Sequence, residues 1–203
     1  MRRRALLSTV AFTTTAATAG CLGDVRQRLS GPIRFDHARG RIHDASQSFV
    51  RGGLGGSPTE DQYAAWLFTS APSSDVAVFT DALGLETRRE WDNEVHNENY
   101  DAGFVLLAQV RTGREHARRL GPVPYICDPA WTGWRRARVP LSLDPANLET
   151  DELAGADGVV ATLAAYVTAP EAPRAATVPF LSTGADACEA ANATLTAESW
   201  SPP

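Results

Sequence analysis

Val159-Val160-Ala161-Thr162-Leu163-Ala164-Ala165-Tyr166-Val167-Thr168 sets apolar side chains at 159, 161, 163, 165 and 167, with Thr162, Tyr166 and Thr168 between them. Successive side chains of a strand point to opposite faces, so this period of two predicts a β-strand rather than a helix. Trp134 to Leu143 repeats the pattern, with Ala137, Val139, Leu141 and Leu143 on one face and Arg136, Arg138 and Ser142 on the other. Tyr63 to Ser70 and Phe104 to Arg111 are apolar on both faces at their centres, as expected of interior strands. Ala176 to Leu181 and Ala193 to Trp200 complete the set. Gly121-Pro122, Asp128-Pro129, Asp144-Pro145 and Gly155-Ala156-Asp157-Gly158 are turn signals between them. About seven short strands with few helices predict an all-β fold, an antiparallel β-sandwich of the immunoglobulin-like class. One short helix is predicted from Asp75 to Leu85, with Asp75 capping a stripe of Val76, Phe79 and Leu83.

The chain begins with Arg3-Arg4 ahead of a weakly apolar run from Ala5 to Ala19, which ends in Thr18-Ala19-Gly20-Cys21. Paired arginines before apolar residues fit a twin-arginine export signal. The small residues before Cys21 resemble a lipobox, with Thr18 where leucine is usual, so Cys21 is expected to be lipidated and to become the first mature residue. A run of 15 residues diluted by five threonines is short of the roughly 20 that span a bilayer. The expected organisation is a signal peptide over 1–20, a tether or irregular strand over 21–48, and one sandwich domain over 49–203. The expected location is the outer face of the cell membrane, held by lipid.

Cys127 and Cys188 remain once Cys21 is assigned to the leader, and an export compartment favours their pairing as a disulfide. All 19 basic residues are arginine, and three of them lie in the leader. The remainder carries 16 arginines against 24 acids, a formal charge of −8. That excess of carboxylates argues against nucleic-acid binding and predicts repulsion from anionic membranes.

The leader, the lysine-free acidic composition, Ser48-Phe49-Val50-Arg51-Gly52-Gly53-Leu54-Gly55-Gly56 and Phe104-Val105-Leu106-Leu107-Ala108-Gln109-Val110 together resemble haloarchaeal lipoproteins of uncharacterised function. The resemblance covers roughly residues 48 to 181 beyond the leader. It implies a surface location and a β fold, and transfers no catalytic residue.

Standard catalytic signatures are missing. There is no G-x-S-x-G elbow, and without lysine neither Ser-x-x-Lys catalysis nor a Schiff base is available. Met1 is the sole methionine and no histidine follows Cys127, which excludes a blue-copper ligand set. Gly52 to Gly56 lacks both Gly-Lys-Ser/Thr and G-x-G-x-x-G spacing, so it is expected to be a flexible connection or bulge. No cofactor is expected.

Three weaker candidates remain. Asp92, Glu94, His96, Glu98 and Asp101 lie within ten residues and offer the oxygen ligands that hard cations prefer, although such acidic runs usually face solvent. Trp131 and Trp134, beside Arg135, Arg136 and Arg138, offer aromatic faces for stacking on a ligand. Asn192-Ala193-Thr194 is an N-glycosylation sequon. These features predict a surface-tethered binding or structural module for an unspecified partner or ligand, not an enzyme. The alternative is an extracytoplasmic hydrolase or metal-dependent enzyme with a site built from residues distant in sequence; the metal-dependent form requires His37, His43, His96 or His116 to converge with carboxylates.

Overall fold

The structure is a computed structural model that describes residues 32–56, 60–123, 127–148, 153, 155–182 and 191–202. Among the described residues are ten strands: β1 (Arg34–Asp44), β2 (Gln62–Phe68), β3 (Gly103–Gly113), β4 (Arg118–Pro122), β5 (Ala130–Gly133), β6 (Arg136–Arg138), β7 (Leu141–Pro145), β8 (Gly158–Thr168), β9 (Ala175–Ser182) and β10 (Ala191–Ser199). One α-helix, α1, spans Leu85–Asn97.

The strands form one mixed sheet in the order β1-β8-β3-β2-β10-β9-β6-β5, with β7 also paired to β9 and β4 to β7. The path through β9, β7 and β4 leads back beside β1, where a Cβ placed on Gly40 would lie 3.4 Å from the Leu120 carbonyl oxygen. The sheet therefore curls nearly into a barrel. A seam remains, because no strand pairing joins β1 to β4 among the described residues. The β2/β10, β6/β9 and β7/β9 pairs are parallel, which corrects the expected antiparallel sandwich. Alternation specifies only which side chains face inward, and a sheet closed on itself needs the same alternation as two stacked sheets.

Inward positions make the main core. Phe104, Leu106, Ala108 and Val110 of β3 meet Ala161, Leu163, Ala165 and Val167 of β8 and Ala176, Val178 and Phe180 of β9. The outer face of β2, β3 and β8 is also covered, since Val105, Leu107, Ala164 and Tyr166 pack with Phe49, Val50, Val78, Phe79, Trp91 and Val95. This second layer explains why β3 reads as a continuous apolar run.

The expected helix at 75–85 is displaced. Asp81–Leu83 is a 3-10 turn capped by the Thr80 hydroxyl, which accepts the Ala82 N–H, and the true helix follows Gly84 at φ 78°. Much of the expected tether over 21–48 is the 11-residue strand β1, paired along its length with β8.

Candidate functional site

The outer face of β1, β3 and β8 carries a buried polar chain beneath the glycine-rich loop. Gln109 Oε1 accepts the Leu54 N–H at 2.8 Å, and its Nε2 donates to Thr162 Oγ1 at 2.9 Å. Thr162 Oγ1 lies 3.2 Å from His43 Nε2, and His43 Nδ1 lies 3.0 Å from the Asp44 carbonyl oxygen. A carbonyl only accepts, so His43 donates from Nδ1 and its Nε2 is free to accept from Thr162. Burial holds this imidazole down at a pKa of about 4, and Phe49 stacks on it at 3.5 Å between centroids. Gly52 to Gly56 is thus a fitted cover rather than a flexible connection. Gly53 packs against Gln109, and Arg111 donates to the Gly55 and Gly56 carbonyls.

Across the same face, α1 lies over β1 and β8. Arg39 pairs with Glu90 at 2.8 Å and Glu94 at 2.5 Å. The Tyr166 hydroxyl donates to Glu94 at 3.2 Å, with His37 stacked on the Tyr166 ring at 4.1 Å. Burial, and then the Glu94 carboxylate, push the Tyr166 hydroxyl well above its usual range, which keeps it a neutral donor.

The proposed cation ligands are mostly distributed along this helix and engaged. Asp92 Oδ1 accepts the Val78 and Phe79 N–H groups at 2.8 and 3.1 Å. Glu94 holds Arg39, and His96 lies against the Asp92 and Ser73 carbonyls. Glu98 caps the C-terminus of α1, and Asp101 sits in the following turn. No group of three or more His, Cys, Asp or Glu is arranged to hold a metal among the described residues. The four histidines stand apart, with His116 in a 3-10 turn at the far end of β3. The convergence that the metal-enzyme alternative requires is absent among the described residues.

Trp131 and Trp134 separate as well. Trp131 is buried in the barrel core, whereas Trp134 is 61% exposed at the tip of the β5–β6 hairpin. Asn192 lies exposed on β10 and donates to Ser182 Oγ at 2.8 Å. Cys127 is buried. Arg3, Arg4, Cys21 and Cys188 lie outside the described residues.

Strand pattern did not reveal the cleft at the seam, because it is built by tertiary closure. Ala38, Gly40, Arg41 and Ile42 of β1 and Arg119, Leu120, Gly121 and Pro122 of β4 line a cleft of about 510 Å³, together with Asn147, Leu148, Leu153 and Leu163. Its volume lies in the range of about 300–1,000 Å³ typical of small-molecule sites. Leu120 and Leu163 also belong to the barrel core, so the cleft is a lateral opening toward the interior. Its lining holds two arginines and no acid. No family model matches the chain, and neither a curated protein nor a solved structure matches it.

Proposed function

We propose that the chain is a lipid-anchored binding module of the outer cell surface, which takes an apolar small molecule with an acidic group into the seam cleft. The cleft carries this proposal: aliphatic walls continuous with the core accept a chain, while Arg119 at the rim attracts its acid; the Arg41 guanidinium lies over the Phe49 ring instead. The Arg3-Arg4 pair and the small residues before Cys21 support export and anchoring. Register supports pairing of Cys127 with Cys188. Ala130 stands opposite Arg138, which is level with Thr177, so the chain before β5 runs toward the end of β9, where Leu181 pairs with Ala191.

Titration with 11-(dansylamino)undecanoic acid tests the binding site. Saturable fluorescence enhancement is expected, together with its loss in Leu148→Trp, where the indole fills the cleft. No enhancement, or equal enhancement in the variant, would sink the cleft as the site. Mass spectrometry of the native N-terminus tests the anchor separately, and an unmodified Cys21 would contradict it.

A further inference from the structure

One end of the barrel gathers the start of the described chain and an exposed aromatic tip. Arg34 at the start of β1 pairs with Thr168 at the end of β8. The connection over residues 169–174 leads from there to Ala175, which stands opposite Arg136 at the start of β6. Pro32, this connection and the β5–β6 tip therefore share one end.

At that tip Trp134 is 61% exposed, the more exposed of two large hydrophobic residues so placed among the described residues, the other being Leu85. Arg135 adopts φ 53°, a left-handed conformation rarely taken by a residue with a side chain. Its backbone is held by the Arg174 N–H, which donates to the Arg135 carbonyl at 2.8 Å. Its guanidinium donates to the Ala172 carbonyl at 2.9 and 3.1 Å. The tip is thus a fixed presentation. The Arg174 guanidinium lies 5.1 Å from the Trp134 ring centroid, and Arg136 and Arg174 are both exposed. Glu171 is 3.6 Å from Arg135.

We propose that this tip docks on an anionic phospholipid surface, with the Trp134 indole at the headgroup level and Arg136 and Arg174 against lipid phosphates. Indoles favour that depth because one edge is polar and the body apolar, and basic residues beside them gain from the negative surface potential. The net charge of the chain conceals this local arginine cluster. Orientation rests on the anchored reading above. Ten residues lie between Cys21 and Pro32, so eleven steps along the chain give a reach of at most roughly 36–40 Å, and Pro32 stands at the end that carries the tip.

The test uses the full chain with Cys21→Ser, so that no lipid drives binding, and vesicles of phosphatidylglycerol with acyl-brominated phosphatidylcholine. Tryptophan emission is expected to be quenched on these vesicles and much less on neutral ones, and most of the quenching should disappear in Trp134→Phe. Arg136→Gln and Arg174→Gln should each weaken binding about fivefold, with a shallower salt dependence. Thermal melting of each variant confirms that it is folded. Absence of quenching, quenching that persists in Trp134→Phe, or equal binding to neutral vesicles would overturn the proposal. A native Cys21 without lipid would remove the anchor while leaving the vesicle result standing, so the two ideas fail separately.

Discussion

A Cβ added to Gly53 would lie 2.4 Å from Gln109 Oε1 and 2.9 Å from the Val50 Cβ. Both neighbours are buried and fixed, so Gly53→Ala should cost about 1–3 kcal/mol in urea unfolding. Gly113→Ala, with nothing within 4 Å, should stay within about 1 kcal/mol of wild type. His43 adds a pH dependence of definite sign. Its native pKa of about 4 lies below the unfolded value of about 6.5, so below pH 6.5 the unfolded chain binds a proton that the native state refuses. Stability should therefore fall by up to roughly 3 kcal/mol between pH 6.5 and 4, then level off with respect to this group as the native imidazole also protonates. His43→Gln should flatten that interval in urea midpoints measured against pH, and an unchanged slope would show that other groups govern it.

The helix α1 is an element whose stability depends on what it holds. Asp92→Ala would strip the Val78 and Phe79 amides of their acceptor and should cost about 1–3 kcal/mol. Trp91→Ala removes the edge-on partner of Phe79 at 5.2 Å and should cost about 3–5 kcal/mol. Glu86→Ala, on the exposed side, should leave the urea midpoint nearly unchanged. This helix was poorly legible beforehand because only Trp91 and Val95 are buried, a stripe too thin to outweigh its charges. Strands β2, β3, β8, β9 and β10 were legible because one or both faces are apolar over several residues, whereas the single strand expected from Trp134 to Leu143 is divided into β6 and β7, parted at Val139 and Pro140. Arg118–Pro122 was not, since its five residues include two arginines and a proline and a single buried leucine. Trp131 and Trp134 look equivalent in sequence, and the register shift of the hairpin between Trp131 and Gly133 is not visible in residue type. The cleft was illegible for another reason: its walls come from 38–42, 119–122, 147–148, 153 and 163, and only closure brings them together.

At the scale of the molecule, the seam divides strands paired on both sides from strands paired on one. Strand β8 lies between β1 and β3, and β3 between β8 and β2. In native-state hydrogen exchange, β3 and β8 should therefore be the most protected, while alternate amides of β1 that face the seam exchange much faster. Uniform protection across β1 would mean that the seam closes in solution. Cys188→Ser should cost about 4 kcal/mol if the proposed disulfide closes its long loop, read as a drop in melting temperature under non-reducing conditions. The parallel contact between β2 and β10, Trp66 opposite Glu198, joins the first third of the chain to its last strand. A pair so distant in sequence makes a slow folding step, because a large loop is ordered before any contact offsets its entropy. During synthesis β2 waits for a neighbour that leaves the ribosome more than a hundred residues later. The β2–β10 pairing therefore forms late, and until then the β2 edge is open to pairing with other strands.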